Sequence, residues 1–161
     1  MDSFQSNSTV VDIYPQSLTV NEEMWTECPV LDEVLFALGR PESRLVKNAR
    51  ALPRIVVDGI GLALRYSESN HKVHSLLIYY NVKPSPESPN HSFSGRLLIG
   101  GDKVNHPPKI SDIRQNKYFT FDNRPESVAI GSLISMRLIA VSNSLAILDV
   151  GWEDFVRYGW G

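Results

Sequence analysis

The sequence predicts an α+β fold: a single compact domain with an antiparallel sheet and a few packed helices, preceded by a flexible N-terminal tail. Three observations support this class: a polar N-terminal segment, a short region of helical periodicity, and a longer region of strand-like apolar patterns. A chain of 161 residues fits one domain. We therefore expect a tail over residues 1–20 and a globular α+β domain over residues 21–161.

The predicted tail, residues 1–20, is rich in Ser, Asn, Gln and Thr, and we find no apolar periodicity in it. Such a composition is typical of segments that bury too little apolar surface to fold alone. The tail also opens an acidic region, because the first 39 residues carry seven carboxylates and no Lys or Arg. We expect it to be mobile and acidic.

Helical periodicity begins after Pro29. Four apolar residues follow at the i, i+3, i+4 and i+7 spacing of one buried helix face, namely Leu31, Val34, Leu35 and Leu38. Gly39 can end this helix in a left-handed conformation, and Pro41 prevents its continuation. A second helix is predicted over residues 42–51, before Pro53.

Strand patterns dominate from residue 55 onwards. The predicted strands lie at residues 55–57, 60–66, 92–99, 117–121, 132–141 and 145–150, with the last two forming a hairpin. Residues 71–82 fit either a helix or a strand. The three prolines of residues 83–90 predict an exposed loop.

Residues typical of enzymes are few. His71 and His74 are three residues apart and would share one face of a helix, with Glu68 as the nearest carboxylate. A zinc site would need one or two further ligands, and no accompanying motif supplies them. The single cysteine, Cys28, follows an acidic residue, which disfavours a reactive thiolate. We predict no catalytic residue, no metal and no cofactor.

A basic stretch directly follows the acidic region. Its five basic residues are Arg40, Arg44, Lys47, Arg50 and Arg54. A helix would align the first three on one side, where they could bind an anionic membrane surface or a nucleocapsid. An ordinary solvated helix face is an equally weighted alternative. Because the acidic and basic regions complement each other, we also expect self-association.

The tail contains a short peptide, Tyr14-Pro15-Gln16-Ser17-Leu18. Tyr-Pro with a later Leu matches the type of peptide that some viral structural proteins use to recruit host membrane-scission machinery. Two interpretations of Tyr14, Pro15 and Leu18 stay open: they form a budding motif, or they anchor the tail on the next subunit.

Residues His91–Met136 resemble part of the globular domain of rhabdovirus matrix proteins. The resembling features, in order, are Gly95-Arg96 before an apolar strand, Pro107-Pro108-Lys109-Ile110, the aromatic segment Tyr118–Phe121, and the strand Gly131–Ile139. The resemblance covers fewer than a third of the residues. The acidic tail and the pI of about 6.1 depart from the Lys-rich tail and basic charge common in that family.

The resemblance implies a non-enzymatic viral matrix protein that self-associates and links the nucleocapsid to the inner face of a membrane during virion assembly and budding. The implied partners are further copies of itself, the viral nucleoprotein–RNA complex, an anionic membrane surface and a host membrane-scission factor. The implied locations are the virion, the host cytoplasm and the cytosolic face of host membranes. The alternative is a viral movement or nuclear-shuttle protein that binds nucleic acid, with the host nucleus as its location. A small enzyme is the third class.

Overall fold

The computed structural model of the protein describes residues 9–48, 51–83, 85–121 and 128–152. It is mostly β, with 47% of the described residues in strands and 9% in helices. The strands form one sheet of five and one sheet of seven. The predicted α+β class with several helices is therefore wrong, since two of the segments that allowed a helical interpretation form strands.

Twelve strands and two short helices make up the described part of the chain. In chain order they are β1 (Val10–Tyr14), β2 (Ser17–Val20), β3 (Glu23–Trp25), α1 (Leu31–Ala37), β4 (Arg44–Asn48), β5 (Ala51–Val57), β6 (Leu62–Tyr66), β7 (Val73–Tyr79), β8 (Arg96–Ile99), β9 (Asp102–Lys103), α2 (Ile110–Arg114), β10 (Val128–Ile130), β11 (Ile134–Val141) and β12 (Ser144–Trp152).

The five-stranded sheet has the order β3-β2-β1-β8-β9, and the seven-stranded sheet has the order β10-β11-β12-β7-β6-β5-β4. All neighbours in the larger sheet run antiparallel. In the smaller sheet β1 and β8 run parallel, and the other pairs are antiparallel. Much of the large sheet thus comes from chain-adjacent hairpins, whereas the small sheet joins distant parts of the chain.

The main core lies between the two sheets. It takes alternate residues from both, such as Val11 and Ile13 of β1 and Leu62 and Leu64 of β6, all fully buried. Alternation along a strand directs every second side chain to this face. Burying each such side chain contributes about 1.5–3 kcal/mol. This packing makes the molecule a two-layer β structure.

The predicted flexible tail is corrected for the residues that the structure describes. Residues 10–20 form β1 and β2, and Val11, Ile13, Leu18 and Val20 are buried in the core. The polar residues around them obscure an alternating apolar pattern on both sides of Pro15-Gln16. Residues 1–8 lie outside the described part of the chain.

The first predicted helix is confirmed as α1. Val34 and Leu38 of the predicted face are buried, and Gly39 has the left-handed φ of 84° expected after a helix end. Asn21 fixes this end to the small sheet: its Nδ2 donates to the Ala37 carbonyl at 2.8 Å, and its Oδ1 accepts from the Val10 amide at 2.8 Å. The helix is therefore held against the start of β1.

The second predicted helix, residues 42–51, is wrong. Residues 44–48 form β4, which pairs with β5 in the register Leu45↔Ile55. Residues 71–82, which fitted either element, contain the strand β7. Pairing with neighbouring strands overrides the local helical preference in both segments.

Most of the predicted strands are confirmed. Residues 55–57 and 60–66 correspond to β5 and β6, and the predicted C-terminal hairpin is β11–β12. Of residues 92–99, only 96–99 form a strand. Residues 117–121 form none, because the side-chain oxygen of Asn116 accepts from the backbone amides of Tyr118 and Phe119 instead.

Candidate functional site

The exposed members of the basic stretch form ion pairs within the protein. Arg40 lies 2.9 Å from Asp32, and Lys47 lies 2.9 Å from Glu68. Because β4 is a strand, the predicted alignment of Arg40, Arg44 and Lys47 on one helix side does not exist. Arg50 lies outside the described residues. Little uncompensated positive charge remains on Arg40 and Lys47 for an anionic surface.

The guanidinium of Arg44 forms hydrogen bonds with other groups of the protein. Its Nε and Nη2 donate to the two carboxylate oxygens of Asp58 at 2.8 and 3.1 Å, and this pairing lowers the pKa of Asp58. Nη2 also donates to the Ser88 carbonyl at 2.8 Å, and Nη1 donates to the Pro86 carbonyl. Arg44 therefore fixes the proline-containing loop to the edge of the large sheet.

The outer face of the large sheet carries a polar cluster that sequence reasoning found only in part. Arg54, the last member of the basic stretch, donates from Nη1 to the Tyr79 hydroxyl at 3.0 Å. Nearby, Arg65 Nη1 donates to Asp149 Oδ2 at 2.9 Å. Arg54 is thus held within this cluster.

Asp149 is the most unusual residue of that cluster. Its carboxylate is fully buried, which raises its pKa from 3.8 to about 6. The positive charges of Arg65 and Arg137 and the hydroxyl of Ser75 oppose this rise. An aspartate inside the apolar run of β12 was a signal visible in the sequence, since buried carboxylates need a partner.

The predicted tail peptide forms the β1–β2 hairpin, with Tyr14 opposite Ser17. The Pro15 carbonyl accepts from the amides of Leu133 and Ile134 at 2.8 and 2.9 Å, and Leu18 is buried. The Tyr14 ring contacts the Tyr118 ring edge to face at 6.0 Å between centroids. In this conformation the segment forms a hairpin with Leu18 in the core, and not the extended, accessible peptide that a budding motif requires.

The structure places the two histidines that were considered as metal ligands in a turn and in a strand. His71 lies in the turn before β7, with its ring stacked on Tyr66 at 6.3 Å, and His74 lies within β7. The two side chains therefore do not share a helix face. Within the described ranges, no three His, Cys, Asp or Glu side chains lie close enough together to hold a metal ion.

One edge of the large sheet is poorly covered. Leu64, Ile55 and Leu45 are neighbours across β6, β5 and β4. Leu64 is fully buried, Ile55 is half-buried, and Leu45 is 49% exposed. The cover over this face therefore decreases towards β4, the outermost strand, and leaves an apolar edge open.

Comparison with known proteins gives no assignment: no family model, curated protein or solved structure matches the chain. Neither described helix has the length and apolar character needed to cross a membrane.

Proposed function

We propose that this is a non-enzymatic structural protein that self-associates, as the resemblance to viral matrix proteins implies. One observation supports this proposal above the others: the edge strand β4 presents Leu45 with half of its side chain exposed. No described strand pairs with the outer side of β4. Open edge strands readily pair with another chain.

The charges beside this edge permit two copies to approach. Arg44 is paired with Asp58, and Lys47 is paired with Glu68, so the edge carries little net positive charge. Main-chain hydrogen bonds between two β4 strands would extend the sheet, while the two Leu45 side chains would cover each other. A dimer of this kind is the assembly unit that we propose.

The described residues give no support to the remaining parts of the matrix-protein hypothesis. Docking of a flexible tail cannot use residues 10–20, because they form the β1–β2 hairpin of the small sheet. The anionic membrane surface, the nucleoprotein–RNA complex and the scission factor rest on the resemblance alone. The alternative, nucleic-acid binding by a movement or shuttle protein, gains no support from a basic stretch whose described members contact other protein groups.

Analytical ultracentrifugation tests the proposal. The wild-type protein should form detectable dimers at concentrations up to about 1 mM. A free energy of dimerisation of only about −4 kcal/mol corresponds to a dissociation constant of this size. Leu45→Lys places a charge on the edge and should abolish dimerisation. Val141→Lys is the matched control, because Val141 is 48% exposed in β11, which lies near the opposite edge of the sheet.

Salt separates edge pairing from charge attraction. Pairing through β4 should change little as the salt concentration rises, whereas attraction between the acidic and basic regions should weaken. A protein that stays monomeric throughout, or equal effects of the two lysine variants, would contradict the proposal.

A further inference from the structure

A groove of about 600 Å³ lies on the outer face of the small sheet, beside the C-terminal end of α1. Its lining residues are Val10, Asp12, Thr19, Asn21, Glu22, Glu23, Phe36, Ala37 and Arg96. The volume falls within the range of about 300–1,000 Å³ that is typical of ligand pockets. None of the lining residues belongs to β4, and the lining strands all belong to the small sheet.

The groove has exposed apolar side chains at its rim. Phe36 is 64% exposed, although the adjacent positions of α1 pack towards the core. Met24 is 63% exposed on β3 and lies opposite Thr19 in the sheet register. The guanidinium of Arg40 lies 5.5 Å from the centre of the Phe36 ring, so this ring already contacts a cation.

The charge of the groove is negative. Three carboxylates, Asp12, Glu22 and Glu23, line it against a single cation, Arg96. No ion pair joins any of the three to a basic side chain within the described part of the chain. Asp12 Oδ1 accepts from the Gly101 amide at 3.0 Å. A ligand that brings positive charge would therefore find carboxylates without a described ion-pair partner beside an exposed aromatic ring.

Glu22 holds its carboxylate at an unfavourable backbone position. It follows Asn21 in the two-residue turn between β2 and β3, and the φ angles of Asn21 and Glu22 are 54° and 95°. Glycine usually occupies the second position of such a turn, because a side chain strains the backbone there. Among the described residues, no hydrogen bond or ion pair of Glu22 offsets this strain.

We propose that the groove binds an extended segment of a partner protein that carries basic side chains next to apolar ones. The carboxylates favour basic side chains, and Phe36 and Met24 favour apolar ones. The same carboxylates repel nucleic-acid phosphates and anionic lipids. Residues 1–8 of the chain carry Asp2 and no Lys or Arg, so they do not complement the groove. The proposal holds whether or not the protein dimerises through β4.

Fluorescence anisotropy with two labelled peptides tests this site on the full chain. One peptide alternates lysine with valine, and the other alternates glutamate with valine. The lysine peptide should bind at least about tenfold more tightly, a difference of about 1.4 kcal/mol. Combined Glu22→Gln and Glu23→Gln substitutions should weaken its binding about tenfold. Phe36→Ser should also weaken it.

Two matched controls accompany these variants. Glu33→Gln removes an exposed carboxylate of α1 that does not line the groove, and Leu133→Ser removes an exposed apolar side chain elsewhere. Neither should change peptide binding. Glu22→Gly should weaken binding while raising the melting temperature, because glycine relieves the backbone strain. A purely structural role for Glu22 would not produce this opposite response.

Three results would overturn the proposal. Equal binding of the two peptides would remove the charge preference. Unchanged binding by the glutamine double variant would place the peptide elsewhere. Loss of dimerisation in that double variant during sedimentation would show that a second copy of the chain occupies the groove.

Discussion

Asp149→Asn is expected to change how the free energy of unfolding depends on pH. The Asp149 carboxylate is fully buried and lies 2.9 Å from Arg65 of β6. The other groups that act on it are Ser75 of β7 and Arg137 of β11. Asparagine has nearly the same shape but no charge, so the substitution isolates the ionisation of this one side chain.

The magnitude follows from the pKa of Asp149. Burial raises this pKa from 3.8 in the unfolded chain to about 6 in the folded protein, against the opposing effects of the two arginines. The folded protein therefore binds this proton more tightly than the unfolded chain. The resulting stabilisation is complete below the unfolded pKa and is lost as the pH rises through the folded pKa. It amounts to about 3 kcal/mol, at 1.36 kcal/mol per pKa unit.

Urea denaturation of both proteins at a series of pH values measures this effect. The free energy of unfolding of the wild type, minus that of Asp149→Asn, should fall by about 3 kcal/mol between about pH 3.5 and pH 7.5. Taking the difference removes contributions that both proteins share. Asp112→Asn is the control, because it removes a carboxylate that is exposed and not buried. A difference that stays constant or rises with pH would show that attraction to the arginines outweighs burial.

Three further predictions concern stability. Leu18→Ala should cost about 2–5 kcal/mol in urea denaturation, because Leu18 is a core residue; no loss would restore the tail-peptide hypothesis. Gly61→Ala should cost about 2 kcal/mol or more in thermal melting, since Gly61 has a φ of 86° and a Cβ there would clash with the Phe93 backbone. Arg44→Ala should lower the free energy of unfolding by about 1–2 kcal/mol, whereas Lys47→Ala should change it by less than about 0.5 kcal/mol. Equal losses would show that Arg44 does not fix the loop.

The sequence predicts well those elements whose signals lie within one continuous segment. The helix α1 has its apolar face, left-handed glycine and following proline within a few residues, and the β11–β12 hairpin has two alternating strands around a polar turn. Each signal reports a local preference that the tertiary structure also satisfies. Both predictions are confirmed.

The elements that sequence reasoning misses depend on partners distant in the chain or on an averaged composition. Residues 42–51 have the composition of a helix, but β4 forms because β5 offers hydrogen-bond partners to Leu45 and its neighbours. Averaging over residues 1–20 conceals the alternation of Val11 and Ile13 within polar surroundings. Composition thus describes a segment poorly when order within it matters.

The same distinction between local signals and distant partners applies to the functional residues. The charges of Arg44 and Arg54 are evident in the sequence, but their partners, Asp58 and Tyr79, become adjacent only in the folded sheet. The acidic groove joins four strands, a turn and a helix end, so no spacing rule could place Glu22 beside Phe36. The charge segregation in the sequence predicts that the first 39 residues are acidic, but the shape of the groove depends on the fold.

The parallel pairing of β1 with β8 has a consequence for the order of folding. Val10 pairs with Arg96, so the central strand of the small sheet waits for a partner synthesised much later. The hairpins β4–β5, β5–β6 and β6–β7 need no such wait. Contacts between distant segments form slowly because they first require the closure of long loops. During synthesis, the chain therefore keeps its first hairpin without its parallel neighbour until β8 has left the ribosome.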